Sequence, residues 1–405
     1  MSTPRAGLRP ARPPRGSRKL GAARRFLVSP GAGASRALRA QFFVLGVMFA
    51  TWGVHVPTVK GHYGLGEQAL ALAMLAGGVG ALLALAQAGR VVGRWGPRAV
   101  SAAMGVLCCA SVACLLAGSA YAALLGVMLV FGISGSLMDV AINTEASEIE
   151  RLAARPLMSG FHGMFSLGGM AGAGLGSAAP ALGLSPQAHL FVATGAGAAL
   201  VLLASRAMLP VPEKAAGEKH PLSLPRGPLL LLGVLASMGL IAEGAIYDWS
   251  VLFMKQERAS EASTAALAYA SFSGAMAVGR FGGDWVRARL SGTALMRASG
   301  VLAAAGMALA LALPSPAVAL LGFGLVGLGL SNVVPVLFSA ASQVPGVSPA
   351  HGIAAVSGVG YLGMMAGPPL IGLVAEQSSL TAGLVVVVVF AVFMALTARR
   401  AMRAG

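Results

Sequence analysis

Apolar residues in this chain come in blocks of about twenty, the length a helix needs to cross the hydrocarbon core of a bilayer. Twelve blocks stand out. In the first half they fall at roughly 40–58, 68–88, 99–118, 121–144, 157–182 and 187–206. In the second half they fall at roughly 228–250, 264–284, 293–313, 317–342, 351–375 and 380–398. Charged residues and prolines collect largely between them. The blocks are too long and too evenly apolar for the alternating strands of a transmembrane β-barrel. The pattern predicts an all-α membrane protein of 12 transmembrane helices in two six-helix, pseudo-symmetric halves.

Composition agrees. Of 405 residues, 57% are hydrophobic and 10% charged, where a soluble domain carries about 25% charged residues. Mean hydropathy is +0.79. A soluble enzyme, a disordered chain and a fibrous one are excluded. The net charge of +16 would suggest nucleic-acid binding in a soluble protein. Here the basic residues lie between apolar blocks, so topology explains them and no nucleic-acid partner is expected. The expected partners are the lipid bilayer, a small-molecule solute and protons. Cys108, Cys109 and Cys114 share one block without CxxC or metal spacing and read as buried thiols. No cofactor and no metal are expected. No GxSxG, HExxH or Walker A string occurs, so neither an enzyme nor a self-contained ATP-driven pump is indicated.

Charge asymmetry sets the expected orientation. With the N-terminus on the inside, 26 of the 29 lysines and arginines fall inside, and only Lys60, Lys255 and Arg258 fall outside. The positive-inside rule then puts both termini in the cytoplasm of a multi-pass protein in the bacterial inner (plasma) membrane. Residues 1–39, rich in Arg, Pro, Gly and Ala and free of acid, read as a basic, disordered cytoplasmic tail. The expected divisions are an N-terminal bundle at 40–206, a cytoplasmic linker at 207–227, a C-terminal bundle at 228–398 and a short tail at 399–405.

The halves resemble one another. Gly80 and Gly89 match Gly274 and Gly283 at a shift of 194, and Gly132 and Gly135 match Gly324 and Gly327 at 192. Ser166-Leu167-Gly168 matches Tyr361-Leu362-Gly363 at 195. A consistent shift argues for a duplicated six-helix unit, the kind of repeat that frames a mid-membrane pathway.

Between the second and third blocks stands Gly89-Arg-Val-Val-Gly93-Arg94-Trp-Gly96-Pro-Arg98. This resembles the Gly-x-x-x-Asp-Arg-x-Gly-x-Arg signature of the major facilitator superfamily, departing from it at Gly93, where the family has Asp. In the second half Asp284 takes the acidic position, followed by Arg287 and Arg289. The strings FATWGVHVPTVK (49–60), LMDVAINTEASEIE (137–150) and AEGAIYDWSVLF (242–253) are similar to the bacterial inner-membrane branch related to MosC and YbjJ. The resemblance covers nearly the whole chain from about residue 40. It implies the major facilitator fold, secondary transport, and a cavity lined by the first, fourth, seventh and tenth helices.

Polar residues inside the blocks are the candidate site, because a mid-membrane charge costs at least about 2.5–3.5 kcal/mol and needs a partner or a cavity. On the fourth block Gly132, Ser136, Asp139 and Asn143 share one helical face. Asp139 suits proton binding and Asn143 a hydroxylated solute. On the fifth, His162 and Ser166 share a face, and His162 is placed to pair with Asp139 as a proton relay. On the seventh, Glu243 and Tyr247 share a face toward the pathway. Asp248 lies about 140° around from Glu243 and is expected at the outer interface, paired with Lys255. Trp52 on the first block suits stacking against a sugar ring, and His55 a second titrating or outer-gate position. Ser331 and Asn332 on the tenth block, and Tyr361 on the eleventh, add neutral hydrogen-bonding groups.

The leading expectation is a secondary active transporter of a small, polar, sugar- or polyol-like solute, coupled to protons and working by alternating access. Proton coupling falls to Asp139, His162 and Glu243. The solute-facing set is Trp52, His55, Asn143, Ser166, Tyr247, Ser331, Asn332 and Tyr361. The alternative is a proton-antiport efflux pump for drugs or metabolites, which the acidic and aromatic groups also permit. A non-transporting membrane sensor would need a large soluble domain, which the chain lacks.

Overall fold

The computed structural model describes residues 30–153, 157–209, 226–287, 289–341, 343–345, 347 and 349–403. Within them the chain forms thirteen helices and no strand. Most of the expected tail (1–29), most of the linker (210–225) and residues 404–405 lie outside the described residues.

The first half contains α1 (Pro30–Tyr63), α2 (Glu67–Ala113), α3 (Tyr121–Ala153), α4 (Met158–Ala178) and α5 (Pro186–Arg206). The second contains α6 (Pro228–Glu257), α7 (Ala262–Phe281), the short α8 (Gly283–Arg287), α9 (Gly292–Ala312), α10 (Pro316–Leu330), α11 (Val333–Ala341), α12 (Pro349–Gln377) and α13 (Leu380–Arg403). Thirteen helices amount to twelve crossings. The 47 residues of α2 would run about 70 Å if straight, twice what one crossing needs. They turn at Gly96, whose φ of 78° and ψ of 154° are open only to glycine at low cost. In the opposite sense, the tenth block is split into α10 and α11 at Ser331–Asn332. Pro335, one turn further on, has no N–H, and its ring crowds the carbonyl four residues back.

Two ends differ from the expected boundaries. The first helix begins at Pro30 rather than near residue 40, so 30–39 are helical and not part of a disordered tail. Ala34, Ala37 and Leu38 recur at helical spacing and are buried, while the Arg39 guanidinium lies 5.8 Å from the centre of the Phe161 ring. The last helix likewise continues through 399–403, burying Ala398 and Ala401. In both places small apolar residues extend a buried stripe that block hydropathy underweights.

Among the described residues, nine helices are long and apolar enough to cross a membrane, α2 counted once and α10–α11 together. The other two crossings, α4 and α7, are rich in Gly, Ala and Ser. They pack against each other across the two halves, where small side chains permit close approach. The halves also meet where α2 packs on α12 and where α1 packs on α6 and, less closely, on α7.

The repeat is visible in the packing. A Cβ at Gly132 would overlap the Gly77 carbonyl oxygen, and one at Gly327 would overlap the Phe272 carbonyl oxygen. Both members of the pair are shifted by 195. Gly132 therefore corresponds to Gly327, not to Gly324 as its spacing in the sequence suggested.

Candidate functional site

Glu243 stands 15 residues into the 30-residue α6, so the sequence puts it near mid-membrane. Its partner comes from α7. Arg280 Nη2 donates to Glu243 Oε1 at 3.1 Å, and Arg280 Nη1 donates to Ser166 Oγ on α4 at 2.7 Å. The Arg280 and Glu243 side chains are only 16% and 15% exposed. One guanidinium thus joins a carboxylate of its own half to a hydroxyl of the other. Counting basic residues for topology put Arg280 on the inside, near the end of its block. It sits one residue from the end of α7, and its long side chain reaches back into the bundle.

Around this bridge lie further polar groups. Tyr247, one turn beyond Glu243, packs its ring against Tyr269 and Phe272 with centroids 4.8 and 4.9 Å apart. The Tyr247 hydroxyl faces the Ser273 hydroxyl on α7; both are buried, and neither completes a well-formed hydrogen bond among the described residues. Tyr361 on α12 is 41% exposed and within electrostatic reach of both Asp139 and Glu243.

Asp139 and His162 do not meet. Asn143 Nδ2 donates to Asp139 Oδ1 at 3.0 Å and to the Asp139 carbonyl oxygen at 2.9 Å. His162 packs edge-on against Phe42, ring centroids 5.3 Å apart, and lies within electrostatic reach of Arg280. The helices α3 and α4 touch only sparsely, so neighbouring positions in sequence do not bring these two side chains together.

Four other expectations for the solute path are relocated. His55 is buried away from Arg280, its Nε2 2.9 Å from His189 Nδ1 on α5. The pairing satisfies one nitrogen of each ring within the first half, while His189 Nε2 is buried without a hydrogen-bond partner among the described residues. Ser331 and Asn332 are buried at the α10–α11 break, where Asn332 Nδ2 donates to the Gly279 carbonyl oxygen at 3.2 Å and to Ser331 Oγ at 3.0 Å. They hold the break against α7. Trp52 is 4% exposed, and its indole lies within reach of Asp248 of the other half. Asp248 is therefore turned inward and not paired with the exposed Lys255.

One end of the bundle is tied shut between halves. Lys60 and Glu67 form an ion pair. Gln256 Nε2 donates to Glu67 Oε1 at 3.2 Å, the Gln68 amide donates to Glu376 Oε2 at 3.1 Å, and Ser177 Oγ donates to the Ser263 carbonyl oxygen at 2.7 Å. At the other end lies the loop motif. Gly89 and Gly93 have open space beside them, Arg94, Arg98 and Arg287 are exposed, and Asp284 falls within α8. Arg98 faces Glu145 on α3, which is 3% exposed and accepts the Leu209 amide at 2.9 Å. A carboxylate on α3 thus stands near the motif whose own acidic position is Gly93.

Twelve apolar crossings in two similar sets, meeting at a buried polar centre, describe a membrane transporter. The chain belongs to the Major Facilitator Superfamily, whose family model matches residues 38–359. It is 36% identical over 380 residues to an uncharacterised MFS-type transporter of Yersinia pestis, spanning 93% of this chain and 98% of that one. It is 32% identical over 360 residues to the membrane protein MosC of Rhizobium meliloti, spanning 88% of this chain and 87% of that one. Among solved structures, a D-xylose–proton symporter superposes with a TM-score of 0.68 at 13% identity, covering 89% of this chain and 96% of that one. At that identity the likeness speaks for the fold alone.

Proposed function

We propose that this transporter carries a small hydroxylated organic solute, coupled to protons, across the bacterial inner membrane by alternating access of the halves 40–206 and 228–398. The observation that carries the reading is the Arg280 bridge from Glu243 to Ser166, with the buried Tyr247 and Ser273 hydroxyls beside it, facing each other without a well-formed hydrogen bond. A buried hydroxyl without a partner costs about 1–3 kcal/mol. A solute rich in hydroxyls removes that cost by donating and accepting there, while an apolar one cannot. The D-xylose–proton symporter of the same fold is consistent with such cargo.

Asp139 is the proposed proton carrier, because among the described residues no basic group pairs with it and Asn143 holds it in a fixed orientation. Protonation removes its charge and lowers the cost of drying the path around it. Glu243 acts with it: protonating Glu243 frees Arg280 to hold solute or release Ser166. His162, within reach of Arg280, tunes that charge. With both termini in the cytoplasm, the tied end faces outward.

The test uses proteoliposomes enclosing a pH dye, challenged with pools of sugars and polyols and then of lipophilic cations. Internal acidification with the polyol pool, abolished in Asp139→Asn, is expected. Alkalinisation with the cation pool instead supports the efflux alternative. Polyol-driven proton flux that persists in Asp139→Asn removes Asp139 from the mechanism.

A further inference from the structure

The chain has four tryptophans, and they divide sharply. Trp52 and Trp249 are 4% and 0% exposed, whereas Trp95 and Trp285 are 61% and 64% exposed. The exposed pair occupies matching places: each lies in the segment joining the second and third crossings of its half. Each also carries a guanidinium over its ring. Arg94 lies 5.5 Å from the Trp95 ring centre and Arg289 lies 3.9 Å from that of Trp285. Arg289 is held there by donating from Nη1 to the Trp285 carbonyl oxygen at 3.0 Å.

Depth follows from helix length. Trp95 is 28 residues along α2 from Glu67, about 42 Å, and Trp285 lies on α8, just past the end of α7, whose 20 residues span about 30 Å. Trp95 thus lies beyond the roughly 30 Å hydrocarbon core and within the roughly 40–45 Å of bilayer that includes headgroups, and Trp285 follows directly on a helix of core length. Exposed basic residues dominate there, although Asp284 precedes Trp285 in the sequence. Arg90, Arg94 and Arg98 are exposed beside Trp95, and Arg287 and Arg289 beside Trp285. Two carboxylates at this end are turned to backbone amides: Glu145 accepts from Leu209, and Glu150 accepts from Leu157 and Met158 at 2.6 and 2.8 Å.

We infer that Trp95–Arg94 and Trp285–Arg289 are two docking points for anionic phospholipid headgroups, one on each half of the transporter. The indole settles at the headgroup level, where its apolar body and polar N–H are both accommodated. The ring face orients the guanidinium, whose remaining N–H groups suit a phosphodiester. Because each half has its own point, bound lipid follows each half as the two rock.

The test reads tryptophan quenching by acrylamide, a neutral aqueous quencher, in the full-length protein reconstituted into vesicles. Neutral phosphatidylcholine is compared with an equal mixture of phosphatidylcholine and phosphatidylglycerol. The buried Trp52 and Trp249 contribute little, so the signal reports Trp95 and Trp285. The anionic vesicles are expected to lower quenching at least about twofold, with the protection lost at high salt. Arg94→Gln with Arg289→Gln is expected to abolish the difference, and Trp95→Phe with Trp285→Phe to remove the responsive signal. Equal quenching in both vesicles, or protection that survives the arginine substitutions, overturns the inference. Equal protection by inorganic phosphate in neutral vesicles overturns the lipid assignment. None of these readings needs a transported solute, so they stand apart from the flux assay.

Discussion

Replacing Arg280 with methionine tests whether the bridge at the centre is what the geometry makes it. Methionine keeps the unbranched stem and removes the charge. Glu243, 15% exposed, is then left without its cation in a low-dielectric site. Removing one partner of a buried ion pair costs about 3–5 kcal/mol, while replacing both by apolar residues is often neutral or stabilising. Arg280→Met is therefore expected to destabilise by about 3–5 kcal/mol, and Arg280→Met with Glu243→Met to recover most of that loss. Ser166→Ala removes only a neutral acceptor from a guanidinium still paired to Glu243, costing about 1.5–3 kcal/mol. The assay is reversible unfolding of the purified protein in mixed micelles, fitted for wild type, both single variants and the double. The double-mutant cycle isolates the pair from changes in packing. A loss below about 1 kcal/mol in Arg280→Met, or equal losses in single and double, refutes the reasoning. It would mean that water already screens the pair.

The His55–His189 contact makes a similar prediction without formal charge. His55→Phe or His189→Leu alone strands a buried ring nitrogen at about 1–3 kcal/mol, and the double substitution is expected to cost less than the sum of the singles. Gly132→Ala is expected to disrupt folding or expression, since its Cβ meets backbone at Gly77, whereas Gly126→Ala, with open space beside it, is expected to be neutral in the same melting assay. Glu376→Gln weakens a charge-assisted acceptor for the Gln68 amide across the tied end. Cysteines placed just inside that end are expected to react faster with an external thiol reagent in this variant than in wild type.

Why the centre was only partly legible is a matter of which forces leave a trace in one dimension. The crossings were legible because each must present about twenty apolar residues to lipid, whatever it packs against. Glu243 and Asp139 were legible because a carboxylate in such a block violates that rule. Arg280 obeys it: near the inner end of its block a cation is what topology expects, and only the direction of its side chain makes it part of the centre. The same logic misplaced Ser331 and Asn332. Polar residues in a block predict either a cavity wall or a repaired helix, and only the Gly279 carbonyl, 53 residues away, decides for repair. His55 failed for the matching reason, since its partner His189 sits in the sixth block, where nothing in the spacing links them. The shift of 195 that superposes Gly132 on Gly327 and Gly77 on Phe272 is more informative than any single residue. It shows that duplication preserved the close approach of backbones while the polar residues diverged: Ser166, which faces Arg280, corresponds at that shift to Tyr361, half-exposed in the other half. Packing is thus symmetric where chemistry is not. The duplicated frame is kept in the backbone contacts, and the asymmetry is concentrated in the polar centre.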